Sequence, residues 1–148
     1  SAKSSRITLR YALVKKSSQT ISKSKAFSVK KAKRKVTFKK KSGSSKITVS
    51  KNGKITVKKG LKAGTYKVKV QGKAADNSKY KAATKLVTIK IRLRGDIKGN
   101  ISYTTGAKIY HVPGDTYYDD TIIDESEGER WFVTEEQARK AGWRHSYV

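Results

Sequence analysis

The chain has 148 residues, contains no cysteine and carries a formal net charge of +25. This length suits one ordinary domain or two small ones, and the lack of cysteine excludes disulfides and thiolate metal sites. No stretch approaches the roughly 18 apolar residues that a membrane-spanning helix needs. The chain begins at Ser1 without an apolar leader, so we expect a trimmed or mature fragment.

The charge is distributed unevenly along the chain. Residues 1–94 contain 30 lysines and arginines and a single acid, Asp76, whereas residues 95–148 contain 6 basic and 10 acidic residues. The two segments therefore have net charges of +29 and −4. Because separate folding units carry separate surface charge patterns, this break predicts two domains, 1–94 and 95–148.

Short stretches of alternating apolar and polar residues run through the first segment. Such alternation is typical of β-strands that bury one face. It predicts strands at Ile7 to Leu13, Val36 and Phe38, Ile47 and Val49, Ile55 and Val57, Tyr66 to Val70, and Val87 to Ile91. The outward positions are mostly lysine and threonine. Without any helical window, the spacing predicts an antiparallel sandwich of six or seven strands.

Turn residues separate these strands. Asn52-Gly53 lies between two of them and is the strongest short signal for a β-hairpin, since both residues tolerate positive φ. We therefore expect the strands on either side of this dipeptide to pair with each other.

The strands also carry motifs of a known family. Lys35-Val36-Thr37-Phe38, Ser45 to Val57 and Lys59 to Val70 follow the order strand, Asn-Gly, strand, Gly-Thr-Tyr, strand, and Lys85 to Ile91 completes it. Residues 20–93 thus resemble the group 2 bacterial Ig-like family. The resemblance implies an Ig-like sandwich on a secreted or cell-surface bacterial protein. Such domains act as stalks or presentation units, and some bind host or cell-surface ligands.

The second segment holds eight of the thirteen aromatic residues of the chain. Its apolar positions predict strands at Ile97 to Ile101, Lys108 to Val112 and Trp131 to Val133, and Pro113-Gly114 predicts a turn. These short elements indicate a small α+β domain.

One helix is predicted in this domain. Thr134 and Gln137 form a capping box, which starts a short helix at Glu135. The helix runs to about Ala141, and Gly142 is placed to end it because glycine accepts positive φ.

A second resemblance covers residues 97–146. It rests on Ile97 to Ile101, Ile109 to Gly114, Gly128 to Phe132 and Ala138 to Arg144. The segment resembles the sunset domain family, small C-terminal modules of bacterial secreted proteins without an assigned activity. It is also distantly similar to the metal-binding domain of Ada repair proteins. Asp115 and Ser146 stand near the positions of cysteines in that domain, so its thiolate zinc site is not expected here.

Runs of basic residues in the first segment are the candidate polyanion-binding residues. They are Lys30, Lys31, Lys33, Arg34, Lys35, Lys39, Lys40, Lys41, Lys58 and Lys59. Such charge attracts polyanions in a salt-dependent manner. Lysine outnumbers arginine 25 to 5 in residues 1–94, which disfavours base-specific recognition. Anionic wall polymer or polysaccharide, non-specific nucleic acid and a merely solubilising charge shell remain open.

Two sets of residues in the second segment are weaker candidates. Tyr110, His111, Tyr117, Tyr118 and Trp143 form a candidate ligand patch. A divalent-metal site would draw on His111, Asp115, Asp119, Asp120 and His145, but their spacing matches no metal motif, and a solvated acidic loop is favoured.

The sequence thus favours a non-enzymatic, extracellular or cell-surface binding or spacer module of a bacterial protein. No cofactor is expected, because no catalytic nucleophile motif or glycine-rich phosphate loop is present. The alternatives are a non-specific nucleic-acid-binding protein and a C-terminal domain with divalent-metal-dependent activity.

Overall fold

The computed structural model describes residues 5–27, 35–76 and 81–147. The fold is mostly β, as the sequence predicts, with short helices between some strands. The chain forms two compact units. Unit 1 comprises Ser1–Leu9 and Leu13–Leu93, and unit 2 comprises Arg10–Ala12 and Arg94–Val148. Across these described ranges, no helix is long and apolar enough to cross a membrane.

Seven strands build unit 1. They are β1 (Ser5–Arg10), β2 (Gln19–Ile21), β3 (Val36–Ser42), β4 (Ile47–Val49), β5 (Ile55–Val57), β6 (Gly64–Ala74) and β7 (Ala83–Arg94). One sheet has the order β1-β7-β6-β3 and the other has the order β2-β5-β4. Lettered A to G along the chain, these are AGFC and BED. An immunoglobulin constant-type sandwich has ABED and CFG, so only the sheet of the first strand differs.

The core of unit 1 lies between the buried faces of its two sheets. Val68, Val70, Ile89 and Ile91 on the larger sheet and Ile21, Ile47, Ile55 and Val57 on the smaller one are almost fully buried. Gly53, in the turn of the smaller sheet, packs against the Phe38 ring of the larger sheet, because a Cβ at Gly53 would lie 2.9 Å from that ring. The alternating apolar residues therefore face one interior, as in a sandwich.

The β4–β5 hairpin forms where Asn52-Gly53 predicts it. The Gly53 N–H donates to the Ser50 carbonyl at 2.9 Å, and the Ser50 N–H donates to the Lys54 carbonyl at 2.9 Å. Gly53 has φ +89°, while Asn52 keeps a negative φ. The loop is therefore a three-residue turn that ends in a left-handed glycine, instead of the two-residue turn in which both residues have positive φ.

Near the start of the chain are two short helices that the sequence analysis did not predict. These are α1 (Tyr11–Lys16) and α2 (Lys23–Ala26). The predicted strand from Ile7 to Leu13 is wrong beyond Arg10, because the helix turns Leu13 outward, at 42% exposure, and buries Val14. Such a short apolar run fits both the helical and the strand period of apolar residues, so the pattern alone could not separate helix from strand.

Unit 2 is a small four-stranded sheet with one helix against it. Its strands are β8 (Ile97–Ile101), β9 (Lys108–His111), β10 (Arg130–Phe132) and β11 (Arg144–His145), in the order β10-β8-β9-β11. The core consists of Ile97, Tyr110, Phe132, Ala138 and Trp143. Large aromatic rings let a unit of this size bury enough apolar area without a disulfide.

The predicted helix of unit 2 is confirmed as α3 (Glu135–Lys140). The Thr134 hydroxyl accepts from the Gln137 N–H at 3.1 Å, and the Gln137 side chain accepts from the Val133 N–H at 3.1 Å. At the other end Gly142 has φ +96°, and the Trp143 N–H donates to the Ala138 carbonyl at 2.9 Å. This C-terminal turn aims Trp143 at the core.

Candidate functional site

The outer side of the four-stranded sheet in unit 1 carries a row of cations. The β6–β7 register places Lys67 opposite Lys90, Lys69 opposite Thr88 and Val68 opposite Ile89. Because side chains alternate and Val68 is buried, its neighbours on both strands face outward. The β3–β6 register adds Lys39 and Lys73 to the same side. We call this surface the lysine face; its cations are Lys39, Lys67, Lys69, Lys73, Lys90 and Arg92.

Apart from Arg94, the last residue of β7, the other outward positions of these three strands are uncharged. They are Thr37, Thr65, Gln71, Thr84, Leu86 and Thr88. Lys67 and Lys90 are direct cross-strand neighbours, an arrangement in which like charges lower the stability of a sheet. Since no acidic side chain lies among these outward positions, an anion supplied from outside the chain would relieve the repulsion.

The structure disperses the ten predicted polyanion-binding residues. Lys30, Lys31, Lys33 and Arg34 lie outside the described residues. Lys39 is on the lysine face, whereas Lys40 pairs with Val70 on the inward side and its ammonium donates to the Ser44 carbonyl. Lys41 lies at a bulge, where the register shifts between Lys40 and Ser42.

The remaining predicted residues lie at strand ends. Lys35 precedes β3 and is exposed. Lys58 and Lys59 follow β5 on the other sheet, where the Lys59 N–H donates to the Ser18 hydroxyl at 3.1 Å. Runs of consecutive lysines therefore do not mark one surface, because neighbours in a strand point to opposite sides.

The list of runs missed five cations of the lysine face: Lys67, Lys69, Lys73, Lys90 and Arg92. The alternation of polar and apolar residues identifies them. Four of them stand next to a buried apolar residue of β6 or β7, and Lys73 continues the two-residue spacing of β6. Which strands lie side by side depends on long-range pairing, and that is visible only in the structure.

The outer side of the three-stranded sheet differs from the lysine face. Thr20 pairs with Thr56, and Thr56 pairs with Thr48, so one row of three threonines crosses β2, β5 and β4. Lys46, Lys54 and Lys58 stand at the ends of this row of strands and are exposed. We call this surface the threonine face.

In unit 2, His145 joins three elements. Its ring stacks on that of Tyr110 with centroids 4.9 Å apart, and its Nε2 lies 2.8 Å from Asp115 Oδ2. Its Nδ1 lies 3.9 Å from Glu135 Oε1. The Tyr110 hydroxyl in turn donates to Glu135 at 3.2 Å and accepts from Arg139 at 3.0 Å. Both ring nitrogens of His145 therefore face carboxylates, and this network ties β11 to α3 and to the turn after β9.

Asp115 is held as a carboxylate by this network. Partial burial acts to raise its pKa, but hydrogen bonds from the Val112 N–H and from His145 outweigh burial and lower the pKa. The group therefore stays charged and keeps accepting these two hydrogen bonds at mildly acidic pH.

His111 is the second histidine of unit 2 and is the buried last residue of β9. Burial lowers its pKa; nearby Asp115 opposes the shift, while His145 and Lys98 add to it. Its Nε2 lies 3.2 Å from Asn100 Oδ1, and its buried Nδ1 has no hydrogen-bond partner. His111 is thus a neutral core histidine.

The five residues of the predicted ligand patch do not form one exposed surface. Tyr110, His111 and Trp143 are 1%, 6% and 4% exposed, because the β9 register and the end of α3 direct them into the interior. Tyr117 is exposed, and Tyr118 is half-buried with its hydroxyl donating to the Asp96 carbonyl at 2.6 Å.

The five candidate metal ligands are also separated. Asp115 and His145 contact each other, but His111 is buried beside Asn100, and Asp119 and Asp120 are exposed on the turn beyond. Across residues 5–27, 35–76 and 81–147, no three histidine or acidic residues are arranged to hold a metal ion.

Comparison with family models and with curated proteins finds no relative. No protein-family model matches this chain, and no curated protein is similar enough to indicate kinship. The two family resemblances of the sequence therefore stay predictions.

Proposed function

We propose that this chain is a non-enzymatic, extracellular binding or spacer module of a bacterial surface protein. Unit 1 binds anionic cell-wall polymer or polysaccharide through the lysine face. Unit 2 is a small structural appendage of the sunset type, with its aromatic residues used mainly for its own core.

The lysine face is the observation that carries this proposal. It gathers six cations and no acid on the outward side of three paired strands. A sheet surface with one sign of charge raises the local concentration of polyanions, and binding to it depends steeply on salt. Its charges are carried by paired strands, so the backbone that positions them is ordered before any ligand arrives, and the cost of ordering on binding falls on the lysine side chains.

Two further observations support the other parts of the proposal. The AGFC and BED strand order supports an Ig-like scaffold, which suits a spacer. In unit 2, both nitrogens of His145 are directed at carboxylates, so the histidine has no contact with a nucleophile that it could activate. This arrangement supports a structural role for the Asp115–His145 pair.

Sedimentation with purified bacterial wall material tests the binding part. We expect the chain to co-sediment at about 50 mM salt and to be released between about 50 and 200 mM, since contacts with several charges lose affinity steeply over this range. Failure to co-sediment at the low salt concentration would refute polymer binding. Equal affinity for duplex DNA and wall polymer of matched charge would favour the nucleic-acid alternative.

A further inference from the structure

We infer that the lysine face selects a linear phosphodiester polymer whose phosphates are separated by three carbons and which carries no bases, the chemistry of a poly(glycerol phosphate). The polymer lies extended along β6. This inference rests on the proposed function and narrows it to one class of polyanion.

The first argument is the repeat distance of the cations. Lys67 and Lys69 are two residues apart on β6, and Lys73 continues the same side four residues further along. Two residues of a strand rise about 6.6 Å. The backbone of a phosphodiester with a three-carbon spacer repeats after the same number of covalent bonds as two residues of a peptide chain. When both chains are extended, successive phosphates and successive outward side chains of β6 therefore stay in step.

The second argument is the position of the flanking cations. Lys90 lies directly opposite Lys67, and Lys39 lies opposite Gln71 on the other side of β6. Neighbouring strands are about 4.8 Å apart, within reach of a lysine side chain. A chain that follows β6 is thus met by ammonium groups from β3 and β7 as well as from β6 itself.

The third argument excludes a base-bearing chain. Single-stranded nucleic acid has the same backbone repeat, but its binding proteins provide aromatic rings on which the bases stack. Leu86 is the only large apolar side chain among the outward positions of β3, β6 and β7, and no aromatic side chain is present there. Bases would gain nothing from this surface, so a polymer without them is favoured.

The test compares four probes of equal charge by titration calorimetry at about 50 mM salt with the intact chain. The probes are poly(glycerol phosphate), poly(ribitol phosphate) with its longer five-carbon spacer, oligo-thymidylate and polygalacturonate. We expect poly(glycerol phosphate) to bind at least about five-fold more tightly than the other three. Equal affinity for all four would overturn the inference and leave the proposed function intact, whereas no binding to any probe or to wall material would refute both.

Two triple variants with the same net charge locate the binding surface. The face variant is Lys67→Gln, Lys69→Gln and Lys73→Gln; the control variant is Lys46→Gln, Lys54→Gln and Lys58→Gln around the threonine face. We expect the face variant to lose about tenfold or more in affinity for poly(glycerol phosphate), because three charge contacts are removed. The control variant should lose less than about threefold. Equal losses would mean that only total charge matters and would overturn the inference.

A gain of affinity provides the sharpest outcome. Gln71 interrupts the row of Lys67, Lys69 and Lys73, so Gln71→Lys completes the repeat of β6. The matched change on the other sheet is Thr56→Lys. We expect Gln71→Lys to raise the affinity for poly(glycerol phosphate) about threefold and Thr56→Lys to raise it less. An equal or larger gain from Thr56→Lys would contradict a polymer lying along β6.

Discussion

Unit 1 and unit 2 solve the problem of a small core in different ways. The core of unit 1 is built from aliphatic residues that alternate with lysine or threonine along paired strands. β6 and β7 alone pair over eleven positions. Unit 2 relies on single contacts: a Tyr110–His145 stack, one buried histidine and a few close backbone approaches. The comparison predicts that unit 1 should tolerate small changes in packing that unit 2 cannot.

The largest expected effect is that of Gly95→Ala in unit 2. A Cβ at Gly95 would overlap the backbone carbonyl of Phe132, which cannot move as a flexible side chain would. Overpacking costs about 1–3 kcal/mol and more where backbone must shift, so we expect a loss of about 3 kcal/mol or more in the stability of unit 2. Chemical denaturation followed by tryptophan fluorescence measures this, because both tryptophans, Trp131 and Trp143, belong to unit 2.

The matched control is Gly72→Ala in unit 1. A Cβ there would make only ordinary contacts, 3.8 Å from Phe38 and from Val36, and the backbone has no positive φ. We expect a change of less than about 0.5 kcal/mol, measured by amide hydrogen exchange at Val68 and Ile89. A loss at Gly72 as large as that at Gly95 would mean that unit 1 is no more tolerant than unit 2.

The two units also differ in how far sequence patterns describe them. Alternation located β3 to β7 because each strand buries one face, and the capping residues located α3 because Thr134 and Gly142 act locally. β2 and β11 were missed: they have three and two residues, too few to show a period, and they are held by partners distant in the chain.

The same limit applies to the candidate site. The sequence showed that lysines occupy outward positions, but only the register shows that Lys67 and Lys90 are neighbours and that Lys40 turns inward. In unit 2, density of aromatic residues predicted a ligand patch, whereas Tyr110 and Trp143 are core. In so small a unit, aromatic residues are needed to build the core, and sequence composition does not distinguish core residues from ligand-binding ones.

A smaller effect is expected at the start of α3. Thr134→Ala removes the hydroxyl that accepts from the Gln137 N–H, which costs about 1 kcal/mol in typical helices. Thr134→Ser keeps the acceptor and is the control. Tryptophan fluorescence should show a lower denaturation midpoint for alanine and a nearly unchanged midpoint for serine. Equal midpoints for Thr134→Ala and the parent chain would show that this cap adds nothing to unit 2.

The last and smallest effect concerns pH and separates the two units by chemistry. Unit 1 contains no histidine and only one acid, Asp76, so its folding binds or releases few protons at mildly acidic pH. In unit 2, burial lowers the pKa of His111 from its usual 6.5. As pH falls, the His111 imidazole is protonated in the unfolded chain before it is protonated in the folded chain, which favours unfolding. The stability of unit 2 that depends on His111 is therefore fully present above about pH 6.5 and declines as pH falls below it.

Asp115 also makes the stability of unit 2 fall as pH falls, but at a lower pH than His111 does. Its hydrogen bonds from Val112 and His145 lower its pKa from 3.8, so their contribution is lost only as pH falls below about that value. Between about pH 6.5 and 4.5 we therefore expect the tryptophan-monitored midpoint to fall, while hydrogen exchange in unit 1 stays constant after correction for the intrinsic rate. His111→Gln should reduce this fall of the midpoint. It should leave unchanged the loss of stability at lower pH that comes from Asp115. If His111→Gln declines as steeply as the parent chain, the acid sensitivity of unit 2 does not come from the buried imidazole.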